Sequence, residues 1–395
     1  MKRVYLDHIS AAPLAAGVFE AMRPFLEESF GNPQSLHTDG QVAAEAVDTA
    51  RDRVAVLIGA APGEIIFTAS GTEANNLAVK GLALAHKAKG NHVVVSSIEH
   101  ASVLNAAKSL EKSGFMTTIV PVDGFGRVDP DAVADAVRKE TVLVSVMTAN
   151  SEVGTIEPIA DIVQAVRSKT SGVLVHSDAV AAVGNIPVDV QAFGVDALSL
   201  AGNSFGGPKG SAALFLKKGT KLTPQIEGGI QEGGRRGGTE DVAAIVGLGE
   251  AARRAAAGMS ERVARMTLLR NRLIAELPRA VPHVRLTGSP EHRLPYQASY
   301  CVEFVEGEAM LLSLDFKGVA ASSFSACTSK SLKVSHVLLA MGLDQTIAQG
   351  SLIFSLIDAT TAADIDYLLD VFPPIIDRLR KMSPLYTDYL KEHGR

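Results

Sequence analysis

Polar side chains gather where apolar runs end. In "FTASGTEANNLAVKG" (67–81) a β-like run passes through Ser-Gly-Thr into a helical pattern. The free amides of a helix start, with the Thr72 hydroxyl added, make a seat for an anion. An ordinary N-cap with Glu in the first turn has the same appearance. "SSIEHASVLNAA" sets His100 just past another apolar run, "VMTANSEVGTIEPI" does so for Asn150 and Glu152, and "VLVHSDAVAAVG" for Asp178. One polar residue at a strand end is ordinary. A series at successive strand ends describes the ligand-binding edge of an open α/β sheet.

Two further segments carry chemistry. "GGIQEGGRRGGTED" (228–241) combines glycines with two arginines, which suits a backbone that approaches an anion or a neighbouring subunit. "SSFSACTSKSLKVSHVLLAMG" (322–342) places Cys327 in a Ser/Thr-rich loop before a helix, with Lys330 and Lys333 close by. Cationic neighbours and a helix start both favour the thiolate. The alternative for a cysteine is a small buried residue, which fits Cys301 in the apolar run "ASYCVEF" better.

The elements that must position these residues alternate over residues 50–250. Apolar, β-branched runs fall at 64–68, 92–97, 117–122, 141–147, 173–177, 197–201 and 212–216. Helical patterns lie between them, at 72–87, 101–113, 130–138 and 158–168. Continuous apolar strands separated by helices predict an α/β fold, a mostly parallel seven-stranded sheet covered on both faces. A long amphipathic segment, 259–280, breaks the rhythm, and shorter strands and helices follow. A chain of 395 residues divides into two domains on this pattern. The expected division is a large domain over 1–255 and a smaller α+β domain over 256–395 that carries the Cys327 loop. The extreme N-terminus is expected to pack on the smaller domain.

Composition narrows the function. The 38 basic and 43 acidic residues give a net charge of −5 with no basic block, which argues against direct nucleic-acid binding. No apolar run reaches the roughly 18 residues of a membrane span, and the first residues do not have the pattern of a signal peptide. Two cysteines are no disulfide framework, and a cytoplasmic setting is expected.

Taken together, GTEANN, IEH, ANSEVGTIEPI, HSDA, GPKG, RRGGTE and SACTS resemble the cysteine desulfurases. These are class V members of the fold-type I pyridoxal-phosphate (PLP) enzymes. The resemblance runs from "YLDHISAAP" to "DATTAADIDYLL". It implies the fold-type I PLP-transferase large domain, a homodimer, and sulfur transfer toward iron–sulfur clusters or tRNA. By the same resemblance Thr72 holds the PLP phosphate, His100 stacks on the ring, Asn150 faces the ring hydroxyl and Asp178 pairs with the pyridine nitrogen. Thr239 reaches the phosphate of the neighbouring subunit, and Cys327 is the nucleophile that accepts sulfur.

Five positions depart from the family pattern. Where the family reads Ser-Ala-His-Lys before "xxGPKG", this chain reads Ala201-Gly202-Asn203-Ser204. Ser204 replaces the lysine that forms the Schiff base, Asn203 and Ala201 replace two phosphate-holding residues, and Ala181 replaces a glutamine that contacts the ring hydroxyl. In "IFSLIDATT" (353–361), Asp358 stands where the family has the arginine that grips the carboxylate of cysteine. A serine hydroxyl cannot form an imine. Two unit charges about 4 Å apart interact by roughly 4 kcal/mol at an effective dielectric near 20, so replacing attraction with repulsion swings the binding of a carboxylate by several kcal/mol.

The resulting expectation is a desulfurase-like protein of sulfur transfer or iron–sulfur assembly, without ordinary PLP catalysis. PLP binds non-covalently at most. Cys327 serves as sulfur acceptor, or as ligand of a metal or an iron–sulfur cluster at an interface with a scaffold or sulfur-acceptor protein. Two alternatives stand beside it: an active cysteine desulfurase or C–S lyase with non-covalent PLP, and a different enzyme with a repurposed pocket.

Overall fold

Seven of the apolar runs build one sheet. The computed structural model describes residues 2–323 and 334–394. Its strands are β1 (Val4–Tyr5), β2 (Ile65–Thr68), β3 (His92–Ser96), β4 (Met116–Val120), β5 (Thr141–Ser145), β6 (Leu174–Asp178), β7 (Ala197–Ala201), β8 (Ala212–Leu216), β9 (Val284–Leu286), β10 (Gln297–Val302), β11 (Val319–Ala320) and β12 (Ser351–Ser355). The large sheet has the order β2-β8-β7-β6-β5-β3-β4. Only β8 runs against the others, pairing antiparallel with β2 and β7. Strands β2, β3, β5, β7 and β8 are buried along their whole length, as continuous apolar runs in a doubly covered sheet require. Edge strand β4 exposes Met116 and Ile119.

The helices begin where the sequence offers caps. Ser70 accepts from the Glu73 amide at 3.1 Å while Glu73 accepts from the Ala69 amide at 2.9 Å, opening the helix Gly71–Ala85. Asp241 caps the helix Val242–Ala280 through the Ala244 amide at 3.0 Å. That helix has 39 residues. It is longer than the amphipathic segment 259–280, and the division expected near residue 256 falls inside it rather than in a linker. Gly249 lets it approach the helix Thr38–Ile58, since a Cβ there would sit 2.6 Å from Ala50.

Beyond the long helix, β10 lies between β12 and β9 in an antiparallel sheet. The N-terminal segment joins this part of the molecule: β1 pairs with β11, and Asp7 bridges to Ser355. No described helix is long and apolar enough to cross a membrane.

Candidate functional site

The parallel strands deliver their C-terminal ends to one edge. Thr72 follows β2, exposed on the first turn of helix Gly71–Ala85; His100 follows β3; Asn150 follows β5; Asp178 ends β6; Ser204 follows β7. Asp178 is buried, and its carboxylate accepts from the Val180 amide at 3.0 Å and from the Asn75 side chain at 2.6 Å. Burial pushes its pKa up, opposed by those hydrogen bonds and by His100.

Asn75 also donates to Ser102 Oγ at 2.8 Å. Ser102 Oγ lies 2.7 Å from His100 Nδ1, which also accepts from the Ser102 amide at 3.2 Å. With Nδ1 as the acceptor, the other ring nitrogen carries the proton. A relay Asp178–Asn75–Ser102–His100 therefore fixes both side chains at the strand ends. Asn75 and Ser102 were not singled out in the sequence, where their residue types give no signal; the contacts span 103 and 27 positions.

Asn150 is buried and its amide is spent within the protein. It donates to the Ile98 carbonyl at 3.0 Å and accepts from the amides of Glu152 and Val153 at 2.8 and 3.0 Å. It shapes the loop after β5. Ala181 contributes its carbonyl to the Tyr296 hydroxyl at 3.0 Å.

Ser204 lies on a single 3₁₀ turn, Gly202–Ser204, after β7. Its hydroxyl donates to the Ala201 carbonyl at 2.7 Å. Its own carbonyl lies 2.8 Å from His8 Nε2 and accepts from Asn185 Nδ2 at 3.0 Å. Nearby, a Cβ on Gly71 would meet Val180 Cγ2 at 2.7 Å and Ala201 Cβ at 3.5 Å. Apolar atoms thus stand beside the start of helix Gly71–Ala85, which Ser70 and Glu73 cap. The only lysine of this segment, Lys209, is exposed. These residues keep a helix start with an exposed Thr72 hydroxyl, an imidazole and a buried carboxylate, groups that suit a phosphate, a ring face and a pyridine nitrogen. They offer no amine and do not fit a pyridine phosphate held as an imine.

The glycine-rich loop is tied down beside the same helix start. Arg236 pairs with Glu73 at 2.8 Å. Glu232 accepts from both terminal nitrogens of Arg51, at 2.8 and 2.9 Å, and from the Phe67 amide at 2.9 Å. Thr239 is exposed on this loop.

Asp358 does not stand alone. Arg265 and Arg262 lie 3.9 and 4.0 Å from its carboxylate, and Arg265 donates to its carbonyl at 2.7 Å. Its side chain is 68% exposed. Both observations weaken the repulsion expected toward an incoming carboxylate, because neighbouring cations and solvent screen the charge.

Cys327, Lys330 and Lys333 lie outside the described residues. The flanks of their segment are anchored. Ser322 exchanges backbone hydrogen bonds with Ile353 at 3.1 and 2.8 Å. On the other side the Ser335 hydroxyl donates to Glu152, and His336 Nε2 lies 3.0 Å from the Glu99 carbonyl. Among the described residues no cluster of His, Cys, Asp and Glu could hold a metal.

Three buried carboxyls underlie this edge. Burial pushes Glu99 and Glu157 up to about 8 and Glu152 to about 7. Each binds a proton more readily folded than unfolded, where such a carboxyl titrates near 4.5. This contribution to stability is full below about pH 4.5 and is lost as pH rises to 7 or 8, by at most about 1.4 kcal/mol per pH unit and group. Urea midpoints are expected to fall between pH 5 and 8, and Glu157→Gln to flatten the fall. An unchanged slope in that variant would contradict the assignment.

The class V aminotransferase pattern matches residues 4–368. The chain is 47% identical over 390 residues to the cysteine desulfurase IscS of Dictyoglomus turgidum, covering 98% of each chain. It is 45% identical over 384 residues to that of Methanosarcina thermophila, covering 97% of this chain and 94% of the relative. The chain belongs to the cysteine desulfurase family of class V aminotransferases. A solved NifS-like protein superposes with a TM-score of 0.90 at 35% identity, over 96% of this chain and all of the other. A NifS-like protein from Rickettsia africae gives 0.86 at 30%, over 95% of this chain and all of the other. This family member therefore has the fold-type I architecture that the sequence resemblance implied.

Proposed function

We propose that this desulfurase-family protein works in sulfur transfer or iron–sulfur assembly by accepting sulfur on Cys327, without covalent PLP catalysis. The observation that carries the reading is the turn after β7. The residue in the lysine position is Ser204, and its hydroxyl is bound to the Ala201 carbonyl at 2.7 Å. Thr72, His100 and Asp178 would hold a pyridine phosphate non-covalently; when bound, that group supplies an electron sink. The chain's own residues orient it through the Asn75–Ser102 relay. The resemblance to IscS proteins supports a homodimer in which Thr239 faces the neighbouring subunit, and contact with a scaffold or sulfur-acceptor protein. The proposed division is 1–255 and 256–395, with the helix Val242–Ala280 running through both parts.

The chemical step conserves atoms and electrons. The Cys327 thiolate attacks the outer sulfur of a donor persulfide, the donor leaves as a thiolate, and a persulfide remains on Cys327. Cys301 is buried in β10, and burial pushes its thiol up to about 12. With a persulfide donor at neutral pH, peptide mass analysis is expected to find one added sulfur on Cys327 and none on Cys301, and Cys327→Ala to remove it. Acceptance of sulfur that survives Cys327→Ala would overturn the assignment.

The second reading, an active desulfurase with non-covalent PLP, is favoured by the intact Asp178–His100 relay and by the high identity to IscS proteins. It predicts sulfide or alanine from cysteine when PLP is added.

A further inference from the structure

A cleft of about 740 Å³ opens between the N-terminal segment, the turn after β7 and the middle of helix Val242–Ala280. Four arginines of that helix line it, Arg253, Arg254, Arg262 and Arg265, against two carboxylates, Glu261 and Asp358. These cations are unequally paired. Arg253 is paired with Glu250, at 2.7 and 2.9 Å, and shares that carboxylate with Arg53. Arg265 donates to two carbonyls, of Asp358 at 2.7 Å and Thr360 at 3.0 Å. Arg262 donates to the Gly184 carbonyl, and its closest carboxylate, Asp358, is at 4.0 Å. Arg254 makes no hydrogen bond and no ion pair among the described residues; its nearest acidic influence, Glu250, is already held by Arg53 and Arg253.

A carbonyl satisfies a guanidinium's hydrogen bonds but leaves its charge uncompensated. Burial accordingly holds Arg262 below its usual range. Under-paired guanidiniums around a concave space raise the local concentration of anions, and their planar forks match the oxygens of carboxylate and phosphate groups. Arg254 and Arg262 are eight residues apart on the helix, roughly 12 Å along its axis, and both line the cleft.

We propose that this cleft binds a small dianion, through carboxylate or phosphate groups held by Arg254 and Arg262. The four arginines take no part in the sulfur-transfer step, but the cleft shares Asp358 with the substrate side of the family pattern. His8 and Asn185 line the cleft and also hold the Ser204 carbonyl, so an occupant would adjoin the turn after β7.

Calorimetric titration of the full chain with inorganic phosphate and with succinate tests this. One of the two is expected to bind saturably, and the tighter one identifies the acid group. Arg254→Gln and Arg262→Gln are each expected to weaken it about tenfold, equivalent to 1.4 kcal/mol. Arg272→Gln, which alters a cation of the same helix outside the cleft and already paired with Glu276 and Asp366, should leave it unchanged. Arg254 is exposed, so its variant tests binding without disturbing the fold. Absence of saturable binding by both probes, undiminished binding in Arg254→Gln, or an equal loss in Arg272→Gln would overturn the proposal.

Discussion

Glu232→Ala is expected to lower the unfolding free energy by about 3–5 kcal/mol, the usual cost of breaking a buried ion pair from one side. The Glu232 carboxylate is 2% exposed and accepts three hydrogen bonds, two from Arg51 and one from the Phe67 amide. Removing it strands a largely buried guanidinium and a buried backbone donor in β2. Glu232 also sits at φ 49°, in the left-handed region, so its three bonds hold a strained turn in place. Glu232→Gln keeps the shape and some acceptor capacity and should cost less. The loop that carries Thr239 leaves from this turn, so the alanine variant should also loosen any homodimer. Urea denaturation measures the first effect and sedimentation the second. A loss below about 1 kcal/mol, within the range of exposed pairs, would show that the loop is held by something else.

The large sheet was legible because its strands are buried on both faces, and such strands read as unbroken apolar runs. His100, Asp178 and Ser204 were legible as positions because helix starts and strand ends leave local signals. The partners that fix them were not. Asn75 lies 103 positions before Asp178, and nothing in its neighbours marks its amide as shared between a carboxylate and a serine. Arg265 meets the backbone of Asp358 across 93 positions. Sequence alone made Asp358 an isolated reversal of charge, whereas packing surrounds it with cations. Asn150 illustrates a further limit: the family resemblance has it face a ring hydroxyl, and nothing local signals that its amide also closes the loop after β5. The long helix passes through residue 256, and its buried residues stop at Ala255 and resume at Met266, a gap in which amphipathic periodicity is weak.

The central claim is that the turn after β7 lacks the chemistry for a covalent cofactor. Reduction with borohydride after incubation with PLP, followed by peptide mass analysis, tests it most directly. The Ser204 hydroxyl cannot form a reducible imine, and its bond to the Ala201 carbonyl turns it back on its own strand end. The wild-type chain is expected to carry no pyridoxyl group on any peptide at stoichiometric yield. Ser204→Lys places a primary amine at the end of β7, on the same sheet edge as Asp178 and Thr72, and should give an adduct on the substituted residue where the wild type gives none. Its yield should remain partial, since Ala181, Ala201 and Asn203 are unchanged. A stoichiometric pyridoxyl adduct on a lysine of the wild-type chain would contradict the account.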